Sequence, residues 1–378
     1  MTSPVIQTAP AEADLDAPTG ALLEECRRRG VFFDLVYEPL VIAEALIDGL
    51  GSWGVPCWCA QLPWSRLANG TPPRLQAHPE RLDQAALVVI ESSYRVRELH
   101  ALDQPLFDQA RALGHPGVFL TNATDHVNLT FFPSDLPVLT AHENRFVRVT
   151  GTRVPWAFGI TRRMLANAPA TVDGPRRPVF LRTFRPSMNQ SVRDMMDFVF
   201  LPHLREAVTV EDSSLGVSVS GAEYLNQLAG ALGCLAYGGF LFNNMTANPY
   251  FHDALYRDNM QFERSPTILR WDSWRLWECF LTGCVAITLD LDLYGAALPV
   301  LPTNWVHYVG LDLANLDRDI DRLRALQDTL PEIGAAGRAW ALAHYTPRAQ
   351  AARFLALAAH GAPGVQPGSR SPRTQPPT

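Results

Sequence analysis

The feature that most narrows the fold is a rhythm in which short, uninterrupted apolar runs alternate with longer segments whose apolar residues recur every three or four positions. Val31–Tyr37, Val55–Ala60, Ala86–Ile90, Gly117–Thr121 and Pro137–Thr140 are runs of the first kind. The helical pattern appears after Pro39 through Ile42, Ala45, Leu46 and Leu50, and again over Pro105–Leu113. Strands apolar on both faces belong in parallel sheets covered by helices on each side. The rhythm restarts with Pro178–Thr183 as a strand, Ser191–Phe200 as a helix and Ala207–Glu211 as a strand. Tyr224, Leu228, Ala231, Leu232 and Leu235 predict one long helix stopping near Gly238-Gly239. Trp274–Leu281 then predicts a helix turning at Gly283 into the strand Val285–Leu289, and Ala335–Ala343 and Arg348–Leu357 are closing helices. The expected architecture is α/β, with two Rossmann-like lobes over residues 21–167 and 179–358, a Pro- and Gly-rich linker at 168–178, and tails at 1–20 and 359–378. Such lobes bind ligands in the cleft between them.

Charge and composition exclude several function classes. The net charge of -6 and pI near 5.9 do not give the basic surface that nucleic acid requires, so none is expected as a partner. Every basic residue is Arg, which rules out Schiff-base chemistry on Lys and a Walker-type phosphate loop. Guanidinium is left as the fixed cation for phosphate. Cys26, Cys57, Cys59, Cys234, Cys279 and Cys284 lie mostly in apolar runs and read as buried free thiols; Cys57 and Cys59 are taken to face opposite sides of a strand, so no metal site is expected. With no basic leader and no uncharged apolar run of spanning length, a cytoplasmic location is expected, with peripheral membrane contact still compatible.

Gly49-Leu-Gly51-Ser-Trp-Gly54 spells the dinucleotide-binding fingerprint, but a helical pattern precedes it and a strand follows. The fingerprint needs the reverse order, so that a helix N-terminus meets the pyrophosphate. These glycines read as a helix end and turn, which disfavours an NAD-dependent oxidoreductase.

The segment Ser265-Pro-Thr-Ile-Leu-Arg270-Trp-Asp-Ser273-Trp-Arg275-Leu-Trp-Glu278-Cys-Phe-Leu-Thr-Gly283-Cys284-Val-Ala-Ile-Thr288 carries the most function. Ser273 suits a helix N-cap, and it puts Arg275 and Glu278 on one face, three residues apart. A cation at a helix N-terminus suits a diphosphate, and a carboxylate one turn later can accept from two ribose hydroxyls. A surface ion pair at this spacing is the plainer alternative.

Ser-x-Arg-x-x-Glu followed by Gly-Cys-Val-Ala-Ile resembles the donor-binding signature of GT-B glycosyltransferases, especially the exostosin-like and group 1 types. The resemblance extends over roughly residues 178–358. It takes in Phe180–Arg193 and the closing segment from Gly337-Arg-Ala-Trp through Tyr345-Thr-Pro to Arg353-Phe-Leu. It implies transfer of a sugar from a nucleotide-diphosphate donor to a hydroxyl of a glycan or small molecule, usually without a metal. The donor is held by the second lobe and the acceptor by the first. Glu278 is then the ligand of the ribose or a donor hydroxyl, and Arg275 that of the phosphates. Two departures stand out: Ala286 replaces a frequent Pro, and only arginines can supply the usual basic pair.

Arg182 and Arg185, at the end of a strand, Arg193 in the next helix and Arg270 are further phosphate candidates, with Gly283 completing the donor motif. For the base that takes the acceptor proton, Asp125-His126 is the best-placed pair, and Glu91 and His142-Glu143 compete with it. Asp290-Leu-Asp292 has a metal-binding spelling but reads as a structural strand end. A catalytically silent nucleotide-sugar-binding or scaffold protein is the alternative to a transferase.

Overall fold

The computed structural model describes residues 10–35, 41–62, 74–93, 112, 117–123, 136–149, 152–169, 172, 174–184, 192–212, 221–242 and 260–361. In chain order, α1 (Ala17–Arg29), β1 (Val31–Asp34), α2 (Val41–Ser52), β2 (Cys57–Cys59), β3 (Leu75–Ala77), β4 (Leu87–Glu91), β5 (Val118–Asn122), β6 (Val138–Thr140), β7 (Val147–Val149), β8 (Arg153–Pro155) and α3 (Arg162–Asn167) come first. All of these strands except β7 form one sheet in the order β3-β2-β1-β4-β5-β6-β8, every pair parallel. β4 and β5 are buried along their whole length, as strands covered on both faces must be. The helix expected at Pro105–Leu113 lies almost wholly outside the described residues.

The second half holds β9 (Arg177–Arg182), α4 (Val192–Ala207), β10 (Thr209–Asp212), α5 (Gly221–Ala229), β11 (Ala231–Leu235), β12 (Phe240–Phe242), β13 (Met260–Phe262), β14 (Thr267–Leu269), α6 (Trp274–Thr282), β15 (Val285–Leu289), β16 (Val309–Leu311), α7 (Leu316–Ala325), α8 (Leu330–Tyr345) and α9 (Pro347–His360). Its sheet runs β10-β9-β11-β15-β16, again all parallel. The chain is thus an α/β protein of two doubly wound lobes. Two antiparallel pairs, β12 with β14 and β13 with β7, are added at the margin, and the second joins the halves.

Four readings of the sequence change. The long helix predicted through Leu235 stops at Ala229, and Ala231–Leu235 is instead a fully buried strand between β9 and β15. Helical spacing and a short apolar run overlap there, and burial on both faces decides for the strand. Gly233 makes this possible, because a Cβ would stand 2.5 Å from the Phe180 ring. Residues 10–20, expected to belong to a tail, form a turn and the start of α1; the Asp16 side chain accepts from Thr19 N at 2.9 Å, with Pro18 in the first turn. Cys57 and Cys59 are both buried on the same face of β2, as a two-residue spacing on a strand dictates, so setting them on opposite faces was wrong.

The fourth change concerns α9, which follows the second lobe in sequence but packs on the first. Gly49 in α2 lies so close to it that a Cβ would come within 2.0 Å of the Pro347 carbonyl oxygen. The Trp53 indole donates to Arg348 O at 3.1 Å while the Arg348 guanidinium lies 3.5 Å above the same ring, and Phe354 meets Phe119 edge to face. The glycine triplet at 49–54 is accordingly a helix contact followed by a turn, with Gly54 at φ +79°, between α2 and β2.

Candidate functional site

In the second sheet the strand order reverses between β9 and β11, and ligands of open parallel sheets bind outside the carboxyl ends at such a reversal. The chain leaves β9 there as Thr183-Phe184 and β11 as Ala236-Tyr237-Gly238-Gly239. The N-termini of two helices converge on this point. Val192 N, opening α4, donates to Gly239 O at 3.0 Å. The segment before α6 packs so tightly on the glycine pair that a Cβ on Gly238 would lie 2.9 Å from Trp271 O, and one on Gly239 2.2 Å from Leu269 O. Two helix N-termini aimed at one crevice favour an anion.

Three of the arginines singled out in the sequence gather around one buried ring. The guanidinium carbons of Arg182, Arg193 and Arg275 lie 4.4, 5.7 and 6.0 Å from the centre of Phe184. Their partners differ. Arg182, 6% exposed, donates to Asp197 Oδ1 at 2.9 Å and to both oxygens of Asp212 at 3.2 Å. Two carboxylates face it, and Asp212 is its register partner across β9 and β10, so its charge is engaged within the lobe. Arg193 Nε donates to Tyr237 O at 3.1 Å, which ties the first turn of α4 to the crevice. Arg270 stands at φ +56° with its guanidinium 4.8 Å over Phe240.

Arg275 turns toward the end of β9. Its Nε donates to Thr183 Oγ1 at 2.7 Å and an Nη to Thr183 O at 3.2 Å, and the Thr183 hydroxyl is 3.0 Å from Tyr224 Oη. Glu278, one turn along α6, is therefore not its ion-pair partner. No hydrogen bond from a described residue reaches the Glu278 carboxylate. Burial raises its pKa above the usual carboxylate range, opposed by the attraction of Arg275 and of Arg163 on α3. Half-buried and given no donor by the described residues, the carboxylate keeps its acceptor capacity for a ligand.

Ser273 takes the N-cap position of α6, but its side chain makes no cap bond, and Oγ is buried without a partner. The capping role read from the sequence is not made, and a hydroxyl is left at the helix start. Gly283 is the left-handed C-cap of α6 at φ +65°, roughly 15 Å along the helix from Ser273, so it shapes the turn into β15 and does not reach the crevice.

The first lobe meets this site through the loop after β6. His142, at φ +65°, accepts at Nδ1 from Asp272 N at 3.1 Å. The Asp272 carboxylate accepts from Phe158 N at 2.7 Å and from the Trp277 indole at 2.6 Å, so the segment that opens α6 is bolted to both lobes. Glu143 forms a buried ion pair with Arg153 at 2.7 Å. Glu91 accepts from Ser93 N and Thr121 Oγ1. Asp125, His126 and Arg185 lie outside the described residues. Sequence spacing missed Thr183, Tyr224, Arg163 and Asp272; a hydroxyl just past a strand end was the one available signal, at Thr183.

Asp290-Leu-Asp292 is a turn. Asp290 Oδ1 accepts from the backbone N of Asp292 and Leu293, Oδ2 accepts from Asn304 Nδ2 at 2.8 Å, and Asp292 pairs with Arg145 at 2.6 Å. Among the described residues no three His, Cys, Asp or Glu side chains cluster as metal ligands, and no helix is long and apolar enough to cross a membrane.

Among solved structures, the chain is similar to that of AviGT4, a glycosyltransferase involved in avilamycin A biosynthesis, with 15% identity over 88% of this chain and 98% of that one and a TM-score of 0.47. It is also similar to an alpha-glucosyltransferase in complex with UDP-glucose and DNA containing an abasic site, with 8% identity over 86% and 94% and a TM-score of 0.44. An alpha-glucosyltransferase in complex with UDP and a 13-mer DNA containing an HMU base gives 8% identity over the same shares and a TM-score of 0.40. No protein-family model and no curated protein sequence matches the chain.

Proposed function

We propose that the protein is a glycosyltransferase of GT-B type that moves a sugar from a nucleotide-diphosphate donor to a hydroxyl of a glycan or small molecule. The observation that carries this reading is the Glu278 carboxylate, half-buried on the first turns of α6 and served by no hydrogen-bond donor of the described residues. A ribose presents two neighbouring hydroxyls, which a carboxylate can accept together. The two helix N-termini and Arg275 then lie within the same crevice for the diphosphate. In the reaction the acceptor oxygen bonds to the anomeric carbon as the bond from that carbon to the diphosphate oxygen breaks. The diphosphate leaves with the bonding electrons, stabilised by guanidinium and helix N-termini, and the acceptor proton passes to a base of the first lobe, for which Asp125 or His126 is proposed. The exostosin-like subtype and a cytoplasmic place of action belong to the same proposal.

The test is thermal melting of the purified protein with UDP, GDP and dTDP and their sugars. A nucleotide present at about 100 times its dissociation constant adds roughly 2.7 kcal/mol to stability, a melting shift of several degrees. No shift with any member of the panel, together with no nucleotide release from the sugars, would overturn the reading.

A further inference from the structure

We propose that Thr183 and Tyr224 are positioning residues that set the plane of the Arg275 guanidinium for the diphosphate. The inference rests on the donor-site reading and extends it to two residues outside the donor motif. Three elements converge on this one cation. Thr183, at the end of β9, receives two corners of the fork, Nε on its hydroxyl at 2.7 Å and an Nη on its carbonyl at 3.2 Å. Tyr224, on α5, braces the Thr183 end of this contact, its hydroxyl 3.0 Å from that of Thr183. The planar fork allows little freedom once two corners are held. A guanidinium has five N–H donors, so donors remain for a ligand after Thr183 is served.

Unrestrained, an arginine side chain carries rotamer entropy that ligand binding must overcome. Thr183 and Tyr224 remove that freedom beforehand, which favours binding by preorganisation. The arrangement also accounts for the spacing of the donor motif. Arg275 reaches β9 from the first turn of α6, which turns it away from Glu278 and leaves that carboxylate for hydroxyls.

The proposal separates phosphate from nucleoside. Of UDP, GDP and dTDP, the diphosphate the wild type binds tightest is compared with its own nucleoside by calorimetry, on the wild type and on Tyr224→Phe, Thr183→Val and Thr183→Ser. Tyr224→Phe and Thr183→Val are expected each to weaken the diphosphate about tenfold, the scale of one lost hydrogen bond to a charged group. The nucleoside should keep its affinity within about twofold, and Thr183→Ser, which restores the hydroxyl, should recover most of the loss. Unchanged diphosphate affinity in both variants would overturn the proposal while the donor reading stood. Equal weakening of diphosphate and nucleoside would also overturn it, since that marks general damage to the lobe. If the wild type bound none of the three diphosphates, the donor reading would fall, and this proposal with it.

Discussion

The two sheets reverse their strand order once each, β1 against β4 in the first lobe and β9 against β11 in the second, and each reversal brings a carboxylate near the carboxyl edge. Glu91, 3% exposed, accepts from Ser93 N at 2.7 Å and from Thr121 Oγ1 at 3.0 Å. Glu278 receives no hydrogen bond from the described residues. One architecture thus holds a carboxylate used as scaffolding and one held ready for something else. The lesson is that topology places a crevice, whereas the hydrogen-bond census says whether the crevice is finished.

Substitution tests this contrast directly. The largest expected effect is on Glu91→Ala, which leaves two buried donors without an acceptor and should cost about 3–5 kcal/mol of stability in denaturant unfolding while nucleotide affinity in the surviving fold is unchanged. A drop in affinity without a loss of stability would erase the difference between the two carboxylates. Next comes Glu278→Ala, expected to weaken nucleoside diphosphate and nucleoside alike by about a hundredfold, roughly 2.7 kcal/mol, with the melting temperature preserved. Had the pair with Arg275 been structural, the melting temperature would fall and the affinity would not.

Glu278→Gln sharpens the contrast further. The folded pKa of Glu278 is raised, so the stability linked to it is full below the unfolded value of about 4.3 and is lost as pH rises through the folded value. At neutral pH the folded protein therefore carries a penalty that Gln removes, and the variant should melt at or above the wild-type temperature although it binds nucleotide poorly. By the same shift, wild-type nucleotide affinity should decline on acidification at a higher pH than an ordinary carboxylate would give. The smallest effect concerns His307 and His344, whose pKa values burial depresses. Their contribution is present above the unfolded value of about 6.5 and lost as pH falls through the lower folded values. Melting between about pH 7 and 5 should show this decline, and replacing both with Asn should flatten it.

Much of this was legible in the sequence. Buried strands declared themselves by short apolar runs, and β4, β5, β6 and β15 fall close to where those runs lie. α6 was legible because Ser273 and Gly283 bracket it. β11 was not, since Ala231, Leu232 and Leu235 fit a helical period as well as a buried strand. Partner choice was hidden for the same kind of reason. Spacing set Arg275 and Glu278 on one helix face, but whether they join depends on Thr183, 92 positions away in the chain. Arg182 likewise met Asp197 and Asp212, which no local pattern connects to it.

The docking of α9 on α2 has a consequence for how the protein is made. The N-terminal lobe is made before the second, yet the helix that covers Gly49 and Trp53 comes 295 positions after Trp53 in the chain. At about 5–20 residues per second, the roughly 200 residues between α3 and the end of α9 take on the order of 10–40 s to add. For that interval the apolar face of α2 stands open to solvent and to other nascent chains. The N-terminal lobe is therefore closed only after the second lobe has been made, and any truncation before Pro347 leaves that face exposed.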